Sequence, residues 1–515
     1  MRDLDLLRLE RRVGLMLAPL AGQPGAAIGV TRDGVLLLRR SVGLASMDLH
    51  VQLGVSSSFR IASVSKQFTC AAILLLERDG LLSVNDPVCR HLPELPESLD
   101  SITLDQLMRN SSGLRDMLEL LRLGGADLAT LVSGEELDAA IARQTTLNFA
   151  PGSRFLYSNS GFRLLGRVIE RLSGQSLAAF LESRIFLPLG MTRTHHTPDT
   201  AQPVRGLATG YLPDGRGGFL AARHGFALGG EGGLVSCVED LALWARSLSV
   251  GGLGGGIETL LQSPTTFTNG EINRYAPGLE AEEWRGLRLV SHGGLWPGFK
   301  TAFLRVPAKR LTVMVMANNA TLDPHQMAFD VLEAALGNDP ALLPAPDAFD
   351  HSAMTGTWLS EAEGLSLDIA AHATARMHGV AFALAPTADG RMAARRGGFP
   401  FQAALPVNDT LEVEFDAGHR ALFRRATPMA PPALDGLWHC AELAAEWRIQ
   451  DGVAHALGPV RRGPPWAITA LGPRHLRIAM PSSLHEGWAD AVLAEDGRSL
   501  MVNASRARGL VFTRA

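Results

Sequence analysis

Lysine is nearly absent from this chain. Its 48 basic residues include Lys66, Lys300 and Lys309, and all the others are arginines. Arginine does not deprotonate in proteins, so a lysine kept in such a background marks a place where a removable proton is useful. Tyrosine is equally scarce, limited to Tyr157, Tyr211 and Tyr275. Cys70, Cys89, Cys237 and Cys440 are scattered without C-x-x-C spacing, which excludes a zinc knuckle and a disulfide framework. No apolar run approaches the roughly 20 residues that span a bilayer, so no membrane is expected. A strong charge of one sign is missing too: the net charge of −4 and pI near 6.4 give no reason to expect nucleic acid or an anionic surface. H-x-H-x-D and H-E-x-x-H do not occur, and His195-His196 are adjacent rather than ligand-spaced; neither a metal nor a cofactor is expected. Gly174-Gln175-Ser176-Leu177-Ala178 lacks the last glycine of a nucleophile elbow. The Gly251 to Gly256 cluster has no Lys-Ser/Thr after it to cradle phosphate.

What is present describes a multidomain chain. Its 515 residues are 46% apolar and 19% charged, ample for several cores. Met1 to Ala21 faintly resembles a signal peptide, but Asp3, Asp5 and Glu10 are acidic. Leu4, Leu6, Leu7, Val13 and Leu17 suit an amphipathic first helix instead, which makes a cytoplasmic protein the expectation. Ala26 to Val30 and Val35 to Leu38 are strand-like, joined by Thr31-Arg32-Asp33-Gly34. Helical patterns, among them Leu104 to Met108, Leu137 to Ile141 and Arg163 to Leu172, dominate to about Gly190. Strand-like runs return at Leu287 to Ser291, Thr301 to Val306 and Leu311 to Ala317, before a helix from about His325 to Leu336. Strands from both ends around a helical insertion imply one sheet covered by helices, an α/β unit over residues 1–337. A Pro-bearing linker, 338–352, follows. Residues 353–427 and 435–515, separated by a second linker at 428–434, read as all-β. Both open alike, Thr355-Gly356-Thr357-Trp358 and Asp435-Gly436-Leu437-Trp438, so they are taken as two copies of one small antiparallel barrel.

The chemistry gathers around Arg60-Ile61-Ala62-Ser63-Val64-Ser65-Lys66 and the apolar helical run after it. Ser63 stands at a predicted helix N-terminus, where developing negative charge is favoured, and Lys66 follows three residues on, on the same face. A serine needs a neighbour to take its proton, and a buried lysine can do so. Tyr157-Ser158-Asn159 offers a phenol to relay a proton and an amide to hold a carbonyl or the lysine. His292-Gly293-Gly294-Leu295 ends a strand, and its glycines let a substrate backbone lie close. The amides of Ser63 and Leu295 form the candidate oxyanion hole.

In order, S-x-x-K, Y-x-N and H-x-G resemble the set that defines the penicillin-recognising serine hydrolases, in their class C β-lactamase-like and esterase branch. Leu107 to Leu114, with Asn110-Ser111 in place of His-Thr, and Gly229 to Ser236 support this over residues 5 to 336. The resemblance implies a β-lactamase/penicillin-binding-protein-like α/β domain, an antiparallel sheet flanked by helices, ahead of the two barrels. Ser63 to Cys70, Asn110 to Asp116 and the barrels are similar to the branch that releases N-terminal D-residues. That implies an acyl-enzyme aminopeptidase acting on peptides, amides or esters with a free D-Ala-like amine, inhibition by β-lactams, and a homodimer. Carried over, Ser63 is the nucleophile, Lys66 and Tyr157 the acid/base pair, Asn159 a substrate contact, and His292 replaces the usual lysine; Tyr157 or His292 is expected to return the proton to the leaving amine. A loop of the last domain should enter the cleft. The candidate, Ala479 to Trp488, carries His485 and Glu486 but is shorter than the relative's and lacks its amine-binding aspartate, for which Glu486 is the substitute. An esterase or β-lactamase-like amidase using the same Ser63, or an inactive binding relative, are the competing readings.

Overall fold

The computed structural model describes residues 6–54, 57–127, 130–223, 225–344, 350–387, 389–394, 401–415, 419–458, 463–481 and 486–515. Helix α1 (Leu6–Leu17) buries Leu9, Val13 and Leu17. Leu6 and Leu7, expected on that face, are exposed, and Leu4 lies outside the described residues. Strands β1 (Ala26–Arg32) and β2 (Val35–Val42) follow. The inserted helices include α2 (Lys66–Arg78), α3 (Met117–Leu123), α4 (Asn159–Ser173) and α5 (Val238–Val250). The chain then returns through β3 (Tyr275–Ala276), β4 (Leu279–Trp284), β5 (Leu287–Trp296), β6 (Phe299–Val306), β7 (Leu311–Ala317) and α6 (Pro324–Leu336). These strands form a seven-stranded sheet in the order β3-β4-β5-β6-β7-β1-β2, with β1 pairing antiparallel to β7. Both faces are apolar. One packs on α1 and α6, the other on α2, α5 and the rest of the insertion, which is why β7, buried at every position, reads as a hydrophobic run broken by Thr312 alone.

One pairing matters for the site. β4 accompanies β5 only as far as Ser291, opposite Glu280, whereas β6 continues alongside to Trp296. Among the described residues, 292–296 therefore pair on one edge alone, and their strand runs past the Ser63 turn.

Gly356–Ser360 through His419–Arg425 and Gly436–Cys440 through Ala507–Arg514 each close into an eight-stranded antiparallel barrel. The fold is thus the α/β sheet domain followed by two β-barrels. Their likeness extends to atoms: Trp358 Nε1 donates to Met354 O at 2.7 Å and Trp438 Nε1 to Leu434 O at 2.8 Å, with Arg425 and Arg514 over the respective rings. The second barrel is docked on α3. Leu120 and Leu123 belong to the barrel's own apolar core, and Trp447 Nε1 donates to Leu123 O at 2.8 Å. Among the described residues no helix is long and apolar enough to cross a membrane.

Candidate active site

Ser63 lies on a 3₁₀ turn, Ala62–Ser65, that runs into α2 at Lys66. The helix proper starts three residues later than the sequence suggested. Ala62 enters the turn at φ 48°, a conformation that costs a β-carbon-bearing residue free energy and directs the chain sharply into the turn. Lys66 is fully buried, and its Nζ has three acceptors: Ser63 Oγ at 3.1 Å, Asn159 Oδ1 at 2.8 Å and Glu231 O at 2.6 Å. Burial is the largest influence on this amine and brings its pKa down to about 7, against the opposing pull of Glu231 and Asp116. In its neutral form the amine keeps two N–H donors, which match Asn159 and Glu231, and a lone pair for the Ser63 hydroxyl.

Tyr157 is hydrogen-bonded to Ser63, and burial pushes its phenol up, so it carries its proton at neutral pH. The segment is fixed by Asn110, whose carbonyl accepts from Leu156 N at 3.0 Å and whose Oδ1 accepts from Ser158 N at 2.9 Å. Asn110 itself has φ 52°, a region asparagine tolerates better than most residues. Asn159 is held from behind by Asp116, which accepts from its backbone N at 2.7 Å and from its Nδ2 at 2.8 Å.

His292 is buried, and burial drives its pKa down to about 3. Its Nδ1 is 2.6 Å from Gly293 O, so Nδ1 carries the hydrogen; Nε2, 2.7 Å from the Tyr275 hydroxyl, accepts from it. The imidazole is neutral with both nitrogens engaged by the protein. Gly294 is required by close approach to the backbone, while at Gly293 the close neighbour is the His325 side chain. A β-carbon on Gly294 would lie 2.2 Å from Ile61 O, and one on Gly293 would lie 2.3 Å from His325 Nε2. This brings Leu295, exposed on its strand, beside the serine turn.

These residues line one cavity of about 730 Å³. Ser63, Tyr157, Asn159 and His292–Trp296 form one side of it; Pro464, Trp466, Met480, Pro481 and Arg506 of the second barrel close the other. The segment Ala479 to Trp488 is largely a β-hairpin: Ala479 pairs with Trp488, Met480 with Gly487 and Pro481 with Glu486. Its tip, including His485, and the Glu486 side chain lie outside the described residues. The sequence analysis missed Asp116, Glu231, Tyr275 and Arg506. Tyr275 was signalled by the scarcity of tyrosine and Glu231 by its glycine-rich setting, but nothing local marks Arg506. Among the described residues no three His, Cys, Asp or Glu side chains gather to hold a metal ion.

A serine on a turn before a helix, a buried lysine beside it and a sheet strand across the cleft define a serine hydrolase. The sequence model of the Beta-lactamase family matches residues 16–336, and the chain belongs to that family. It is similar to the D-aminopeptidase of Brucella anthropi, 33% identical over 373 residues, spanning 72% of this chain and 69% of that one. The D-aminopeptidase of Gluconobacter oxydans is 31% identical over 370 residues, with the same coverages. In fold it is similar to the octameric penicillin-binding protein homologue from Pyrococcus abyssi, with a TM-score of 0.57 and 18% identity, covering 99% of this chain and 100% of that one.

Proposed function

We propose that the protein is an aminopeptidase that releases N-terminal D-amino acids from peptides and amides through an acyl-enzyme on Ser63. The observation that carries the chemistry is Lys66 Nζ, buried and 3.1 Å from Ser63 Oγ; the D-aminopeptidase relatives carry the substrate class. Neutral Lys66 takes the hydroxyl proton as Ser63 Oγ bonds to the scissile carbonyl carbon. The oxyanion rests on the Ser63 and Leu295 amides. As the C–N bond breaks, the proton returns to the leaving amine through Tyr157, whose hydroxyl is bonded to Ser63 and retains its proton at neutral pH. His292 was the other expected donor, but with its pKa near 3 and its only N–H committed to Gly293 O it has no proton to give; it serves as a neutral wall that draws no substrate carboxylate. Water then cleaves the ester with Lys66 again as base. The unpaired edge of residues 292–296 receives the substrate backbone, and Asn159 contacts its carbonyl. As the resemblance implies, Glu486 is assigned to the substrate amine and His485 to substrate binding; Met480 and Pro481 of the same segment line the cavity.

The test is p-nitroaniline release from D-Ala-p-nitroanilide and its L enantiomer, with Ser63→Ala as control. Serine-dependent, D-selective release is expected. Serine-dependent cleavage of p-nitrophenyl esters without anilide release would instead mean an esterase.

The pH dependence follows from Lys66. Below its pKa of about 7 the amine is protonated and cannot accept the Ser63 proton. Activity should therefore rise with pH through a single acid limb centred near that value. A limb near pH 4, the range of an ordinary carboxylate, would rule out Lys66 as the base.

A further inference from the structure

Arg506 stands on the turn between the last two strands of the second barrel, Ser499–Ala504 and Ala507–Arg514, more than four hundred residues from Ser63. It nonetheless lines the cavity that holds Ser63. Its Nη1 is 3.5 Å from Asp116 Oδ2, its Nη2 is 3.7 Å from Glu119 Oε1, and its guanidinium carbon lies 5.7 Å from the Tyr157 ring centre. Its carbonyl accepts from Asp116 N at 3.0 Å. The turn is anchored on both sides: Arg508 N donates to Asn148 Oδ1 at 2.8 Å and Arg115 Nε to Arg508 O at 2.9 Å.

Asp116 is the centre of this arrangement. It is fully buried. Oδ1 caps α3 by accepting from Leu118 N and Glu119 N, while Oδ2 accepts from both nitrogens of Asn159. Asn159 in turn accepts from Lys66 Nζ through its other amide atom. The path Arg506–Asp116–Asn159–Lys66–Ser63 is a continuous set of polar contacts that begins in the barrel and ends at the serine. A buried carboxylate needs a counter-charge, and without one its field would reach Lys66 and hold the ammonium form.

Glu119 is paired with Arg122, Nη2 to Oε2 at 2.9 Å, and Arg506 adds a second positive charge beside it. We propose that Arg506 is a positioning residue of the catalytic centre: by neutralising Asp116 it keeps Lys66 in the free-base form and Asn159 in place, so that the second barrel is an integral part of the hydrolytic machinery. The charged and titratable groups that face Lys66 are Glu231, Asp116, Arg506, Cys70, Tyr157 and His292. Among these groups the cationic Arg506 opposes protonation of Lys66, and the carboxylates favour it. Arg506 touches neither the amine nor the serine and acts through Asp116. The proposal rests on the Ser63–Lys66 assignment above.

The experiment is the rate of Ser63 labelling by a fluorophosphonate, from about pH 5 to about pH 10, in the full-length protein, which reads the activated serine without any choice of substrate. Wild-type labelling that survives Ser63→Ala would overturn the function itself. With serine-dependent labelling in hand, Arg506→Gln should move the acid limb up by about one pH unit, lowering the rate at pH 7 several-fold while the high-pH plateau is retained. Arg506→Lys, which keeps the charge, should leave the limb near its wild-type position. Glu119→Gln, which removes an anion from the same cluster, should move it down. A limb that stays put in both Arg506→Gln and Glu119→Gln, with or without a lower plateau, would make Arg506 a merely structural contact and overturn the inference. So would an Arg506→Lys limb displaced as far as that of Arg506→Gln. The Glu119 variant keeps the inference testable if Arg506→Gln does not fold.

Discussion

Lys66→Arg should lose hydrolysis almost as completely as Ser63→Ala, by at least about 10³-fold in kcat/KM for each. The two substitutions remove different things. Ser63→Ala removes the atom that attacks; Lys66→Arg keeps the positive charge but abolishes the capacity to be neutral. Burial brings the lysine to about 7, within reach of its two states, whereas a guanidinium in the same place stays protonated at any usable pH. The planar fork also fits poorly where Ser63 Oγ, Asn159 Oδ1 and Glu231 O surround one nitrogen at 2.6 to 3.1 Å. Steady-state anilide release and fluorophosphonate labelling should fall together in Lys66→Arg, because both need an activated Oγ. A Lys66→Arg protein with a tenth or more of wild-type activity would show that another group takes the proton, and the scheme would have to be abandoned.

Gly294→Ala should reduce kcat by about 10²-fold or more with a folded protein remaining. The added carbon would stand 2.2 Å from Ile61 O and 3.3 Å from Ala62 Cβ. Neither neighbour can yield easily, because Ile61 N is itself bonded to Leu234 O at 3.0 Å and Val64 N to Ile61 O at 3.2 Å. The strand must back away from the serine turn, and the Leu295 amide goes with it. Loss of one oxyanion donor is worth about 10² to 10³ in rate, and a displacement of about 1 Å costs a comparable factor. The measurement is kcat and KM for the D-anilide beside a thermal unfolding curve. Unchanged kcat in a folded Gly294→Ala protein would dissociate the Leu295 amide from the oxyanion.

The contrast between what the chain sequence discloses and what it hides follows from the range of each interaction. S-x-x-K is local: a turn and the start of a helix bring Ser63 and Lys66 together, and three residues specify them. The central strands of the sheet are legible as apolar runs because burial on both faces leaves little room for polar residues; in β7 Thr312 alone interrupts the apolar side chains. The barrels are legible because a repeat shows itself twice, down to the two tryptophans near their openings. Asp116 and Arg506 are hidden for the opposite reason. Their partnership depends on how a barrel docks on a helix, and no periodicity or spacing encodes that contact. The hairpin at Ala479 to Trp488 is an intermediate case: the resemblance implies a loop there, but cross-strand pairing up to Pro481 and Glu486 extends the barrel sheet into it.

Leu120 and Leu123 lie in α3 yet complete the core of the second barrel, with the Trp447 indole capping Leu123 O across 324 residues of chain. The seam between the two bodies therefore does not coincide with the Pro-rich connector at 428–434. A recombination event that exchanged the barrel at that connector would strand two leucines in water and leave an indole N–H unanswered. The heritable module is the barrel together with a helix encoded far upstream, and a chimaera that respects the fold must carry both.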